Sequence, residues 1–76
     1  MITKTEVIKL ITEKIPSSQV FFENLKGNDT LQLTVIATEF NELSLVQQHK
    51  LVYSALKEEL ASEAIHALAL KTETPN

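Results

Sequence analysis

Apolar positions along this chain switch period from helical to alternating and back again, and the switches mark its elements. Val7, Ile8, Ile11 and Ile15 recur at helical spacing and predict one buried face of a first helix. Thr3-x-x-Glu6 has the spacing of a capping box and marks its start. Pro16 marks its end, because the residue before a proline is pushed out of the α region. From Val20 to Leu25 the chain is rich in β-branched and aromatic residues, as a strand is. Lys26-Gly27-Asn28-Asp29 holds the sole glycine beside Asn and Asp, a strong turn signal. Leu31, Leu33, Val35 and Ala37 then alternate with Gln32, Thr34, Ile36 and Thr38, so the two runs predict a β-hairpin with its loop at residues 26–30.

Phe40-Asn41-Glu42-Leu43 leads into a second helix, opened by a second capping-box spacing, Ser44-x-x-Gln47. Leu45, His49, Val52, Leu56 and Leu60 trace one continuous helical stripe, with residues 61–64 extending it or forming a short separate turn. The last strand runs from Ile65 to Thr72 and is apolar on both faces. The order is α-β-β-α-β. A strand–helix–strand connection leaves its two strands parallel, so strand three lies parallel to strand two and strand one antiparallel to it. These rules predict one small α+β domain over residues 1–76, a three-stranded mixed sheet with helices on one face and no internal repeat or linker.

Composition narrows the function classes. A chain of 76 residues has room for one core, and 43% apolar residues are enough to form it. There is no cysteine, so disulfides and thiolate zinc sites are excluded. No apolar run approaches the roughly 20 residues of a membrane span, and the first six residues lack the basic start and apolar block of a signal peptide. A soluble cytoplasmic protein is expected. All seven basic residues are lysines, scattered among ten acidic residues for a net charge of −3. That balance disfavours nucleic acid, which calls for a basic face and, for guanine edges, arginine. A nucleic-acid-binding regulator would have to use a lysine patch such as Lys50, Lys57 and Lys71.

Catalytic patterns are missing. The chain has no G-x-S-x-G turn and no P-loop glycines. Glu58 and Glu59 are adjacent, about 100° apart on a helix, and cannot converge as an acid–base pair. An anion cradle in the 26–30 loop is open on sequence, but its single glycine is weak evidence for one. A non-enzyme is expected. Two histidines remain. His49 lies on the helix stripe and reads as a boundary residue of the core. His66 opens the last strand next to a helix end, where functional groups concentrate. One imidazole does not hold a metal alone, so a ligand role for His66 needs donors from elsewhere.

Phe40, Leu43 to Tyr53, Leu56, Glu59-Leu60, Ile65 to Thr72 and Thr74-Pro75 together resemble the signature of BolA-like proteins. The resemblance covers nearly the whole chain and implies a class II KH-like topology, although the G-x-x-G loop of nucleic-acid-binding KH modules is absent. It implies pairing with a monothiol glutaredoxin in [2Fe-2S] cluster assembly, transfer or sensing and in iron homeostasis. Some members are instead DNA-binding regulators of morphology and stress genes. In the cluster-bridged pair, glutaredoxin and glutathione supply thiolates and the I-H-A histidine, here His66, supplies an imidazole. An imidazole in place of thiolate is known chemistry for a [2Fe-2S] iron. Family members commonly carry a second His or Cys in the loop between strands one and two. This chain has Asn28-Asp29-Thr30-Leu31 there, leaving Asp29 as the only candidate, and carboxylate is a harder ligand than thiolate or imidazole. A second copy of the chain, joined through the hairpin edge or the open sheet face, is the alternative partner.

Overall fold

Thr3 and Ser44 each open a helix by the same reciprocal device. The Thr3 hydroxyl accepts the Glu6 N–H at 3.1 Å, and the Glu6 carboxylate accepts the Thr3 N–H at 3.1 Å. Ser44 and Gln47 repeat the exchange at 3.2 and 2.9 Å. Each pair satisfies amide groups that a helix start leaves without intrahelical partners. The structure, a computed structural model, describes residues 3–23, 30–65 and 67–75. Its elements are α1 (Lys4–Lys14), β1 (Gln19–Glu23), β2 (Thr30–Ile36), a 3₁₀ turn (Thr38–Glu42), α2 (Leu45–Ala55), α3 (Lys57–Ala61) and β3 (Ala67–Glu73).

The sheet has the order β1-β2-β3. β1 runs antiparallel to β2, with Phe21 opposite Thr34. β3 runs parallel to β2, from Thr30 opposite Ala67 to Ile36 opposite Glu73. Alternation along β2 turns Leu33, Val35 and the following Ala37 inward. They meet Val7, Ile11 and Ile15 of α1, and Val52, Ala55 and Leu56 around α2, with Phe40 and Ile65 closing the two ends of the core. α1 packs on α2 and β1, and α2 packs on β3, so the helices share one face of the sheet. The mixed three-stranded α+β architecture expected from the hydrophobic pattern is the one observed.

Several details depart from the pattern. Ile8 is 39% exposed, because the buried line of α1 steps by four through Val7, Ile11 and Ile15 while Ile8 sits about 100° away. Leu10, half-buried against the core, takes its place. Leu45 is 62% exposed. The 3₁₀ turn carries Phe40 under the start of α2, and that ring supplies the core group at this end. The second helix is also not continuous. At Leu56 the backbone leaves helical geometry (φ −110°, ψ 16°), so α2 stops and α3 restarts one residue later. β3 begins at Ala67 and extends to Glu73, while Ile65 packs in the core ahead of the strand. In the hairpin, β2 begins at Thr30, and positions 24–29, including most of the expected 26–30 loop, lie outside the described residues.

A polar clasp joins the turn after α1 to the 3₁₀ turn. The Ser17 hydroxyl donates to the Glu39 carboxylate, the Ser17 N–H donates to its Oε2 at 3.2 Å, and the Thr38 N–H donates to Ser17 Oγ at 3.1 Å. The Ser17 hydroxyl bond holds the Glu39 carboxyl below its ordinary value of 4.5.

Two outcomes are expected. In urea denaturation, Phe40→Ala costs about 3–5 kcal/mol, as emptying a buried ring site does, whereas Leu45→Ala stays within about 0.5 kcal/mol. For Glu39 the folded state favours the ionised carboxylate, so its contribution is complete above the ordinary value and fades as pH falls through the lower folded value. Thermal melting should therefore show Glu39→Gln less stable than the native chain at pH 7, with the gap closing below pH 4.5.

Candidate functional site

The connection from α3 to β3 is pinned on both sides of position 66. On the incoming side, Ile65 is 3% exposed and its N–H donates to the Glu59 carbonyl at 3.0 Å, which fastens the chain to the end of α3. Glu63 makes the tight approach by adopting a left-handed backbone (φ 65°), a conformation that costs a side-chain-bearing residue about 1–2 kcal/mol. On the outgoing side, Ala67 enters β3 paired with Thr30, the first residue of β2. His66 and Asp29 themselves lie outside the described residues. The residues that follow them in sequence, Ala67 and Thr30, are register partners in adjacent parallel strands.

His49 is half-buried and meets the Tyr53 ring edge-on, with centroids 6.4 Å apart. Its flank of α2 is the outward one, where Val46 is 63% and Tyr53 39% exposed, rather than the core stripe expected from spacing. Among the described residues, no cluster of three or more His, Cys, Asp or Glu side chains is placed to hold a metal ion.

The core-facing residue of that turn is Gln48, four positions before Val52. Its Nε2 donates to the carbonyls of Phe40 at 3.2 Å and Leu43 at 3.0 Å, and its Oε1 accepts the Thr72 hydroxyl at 2.6 Å. One amide thus ties α2 to the 3₁₀ turn and to β3. A polar residue one turn ahead of a buried valine was the available signal for this role.

The lysines do not converge. Lys50 and Lys57 are exposed on the helical layer. Thr72 faces that layer through Gln48, so alternation turns Lys71 to the opposite side of the sheet, where it pairs with Glu73 at 3.1 Å. A surface built on all three lysines would have to span both sides of the domain. No helix among the described residues is long and apolar enough to cross a membrane.

Comparison with known proteins agrees with the fold described above. The family model described as BolA-like protein matches residues 9–76. An uncharacterised protein of Rickettsia prowazekii is 38% identical over 72 residues, covering 93% of this chain and 92% of its own. Its solution structure superposes with a TM-score of 0.77 over 99% of this chain and 97% of that one, at 34% identity. A BolA homologue from Coxiella burnetii superposes with a TM-score of 0.75 at 30% identity, covering 99% and 94%. The bovine BolA-like protein 1 is 44% identical over 50 residues, which is 64% of this chain but 36% of that longer protein.

Ile65 is the residue on which the geometry before β3 depends. Ile65→Ala is expected to cost about 2–5 kcal/mol in chemical denaturation, the range for truncating a buried aliphatic side chain.

Proposed function

Since this chain belongs to the BolA-like family, whose model matches it from residue 9 to residue 76, we propose that it is a non-catalytic accessory protein for a monothiol glutaredoxin, acting in [2Fe-2S] cluster assembly, transfer or sensing and in iron homeostasis. The family match carries this reading, because it includes the Ile65-His66-Ala67 segment. The register of β2 and β3 supports it, since it aligns the residues that follow His66 and Asp29.

The donor set bears on what the chain contributes. It has no cysteine, and among the described residues no three ligating side chains cluster. It suits one ligand position on a cluster whose thiolates come from a partner, and His66 is the residue for that position. The bound cluster is cargo held between two proteins, and a neutral imidazole on one iron raises its potential relative to an all-thiolate centre. By the family resemblance Asp29 takes the position where members commonly carry a softer His or Cys, and on that reading a shared cluster is held less firmly here. The separation of Lys71 from Lys50 and Lys57 gives the nucleic-acid alternative no comparable support.

The chain is mixed with a monothiol glutaredoxin, glutathione and the cluster, and visible circular dichroism is compared for the native chain and His66→Ala. The native complex should show its own spectrum and the variant should lose it. Identical spectra would remove His66 from the ligand set, and no complex on gel filtration would sink the pairing. Because imidazole ligates only when neutral and an ordinary one titrates near about 6.5, the native spectrum should fade between about pH 8 and pH 6.

A further inference from the structure

β1 is an outer strand of the sheet, and among the described residues no element pairs with its free edge. Outer strands in soluble proteins are usually blunted by lysine, proline, a bulge or a covering segment. β1 reads Gln-Val-Phe-Phe-Glu, with no lysine or proline and its one charge, Glu23, at the end, and its five pairs with β2 run without interruption. At its centre Phe21 is 52% exposed on the face away from the helices. The opposite edge of the sheet is different, since β3 carries Lys71 in an ion pair with Glu73.

We propose that the free edge of β1 pairs with β1 of a second copy of this chain, antiparallel about a two-fold axis through Phe21, so that two three-stranded sheets become one of six. The strand is self-complementary in that register. Phe21 meets the partner copy's Phe21 on the open face. Val20 meets Phe22 on the helical face, and Gln19 meets Glu23, a donor opposite an acceptor. No like charges oppose one another. Slipping by one residue would put inward side chains outward. The register centred on Phe21 pairs all five described residues of β1, and isologous contact of this kind closes as a dimer and does not propagate. Aromatic and aromatic–aliphatic cross-strand pairs are among the favourable ones. A contact of five residues a side is well below the roughly 800 Å² per partner of a standard stable complex, so association is weak.

The test uses the whole chain alone, without glutaredoxin or cluster, and so is independent of the functional reading above. Sedimentation velocity is run from about 10 μM to about 2 mM, a range that reaches weak association. The native chain should shift from monomer to dimer, and Phe21→Lys, which sets two ammonium groups opposite each other, should remain monomeric with native circular dichroism. A native chain that stays monomeric throughout, or a folded Phe21→Lys that dimerises equally, overturns the proposal. A second variant guards against misfolding. The chain has no cysteine, and opposed residues in this register bring Cβ atoms to about 4.5–5.5 Å, close to disulfide reach. Mild oxidation should therefore cross-link Phe21→Cys at least tenfold faster than Leu45→Cys on exposed α2. Equal rates overturn the proposal.

Discussion

The parallel pairing of β2 with β3 is the constraint from which the rest of the domain follows. Parallel neighbours cannot be joined by a tight turn, so the chain must leave the end of β2, travel the length of the sheet and return to the starting end. The 3₁₀ turn, α2 and α3 make that journey, and the inward residues of β2 supply the surface they cover. Seven consecutive register pairs, Thr30–Ala67 through Ile36–Glu73, align the beginnings of the two strands. A slip of β3 by one residue against β2 would turn Leu68, Leu70 and Thr72 away from the helices and would strand Gln48 without its hydroxyl partner. Packing and polar satisfaction therefore select the same register.

The returning segment is secured at discrete points. Gln48, half-buried, holds α2 to both the 3₁₀ turn and β3 through three hydrogen bonds of one amide. Ile65 fills the core just before β3, while the Glu59 carbonyl holds its N–H. These contacts concern scaffold residues, yet they determine where the chain enters the sheet at the I-H-A segment. Under the proposed function, the domain is a mount that offers a single donor to a cluster owned largely by its partner.

Much of the scaffold was legible because local chemistry announced it. The capping boxes at Thr3 and Ser44, the stop at Pro16 and the alternation from Leu31 to Ala37 each have a short-range cause, and each appears in the fold. What escaped depended on tertiary choice. Leu45 and Phe40 are both apolar and near the same helix start, and only three-dimensional packing decides that Phe40 goes inside. The interruption at Leu56 carries no proline or glycine to mark it. Gln48 reads as an ordinary polar helix residue until Thr72 is brought to it from 24 positions away. The site was legible in a different sense. Neither composition nor periodicity distinguishes His66 from any other strand-end histidine, and its importance rests on resemblance to a family. The same resemblance makes the missing loop ligand at Asp29 visible as a departure.

The most direct measurement is pulsed electron paramagnetic resonance on the reduced cluster of the complex with glutaredoxin, using chain labelled with ¹⁵N-histidine. The account predicts a strong hyperfine coupling that changes with the isotope and vanishes in His66→Ala. A cluster formed in the same complex with no isotope-sensitive nitrogen coupling would contradict it.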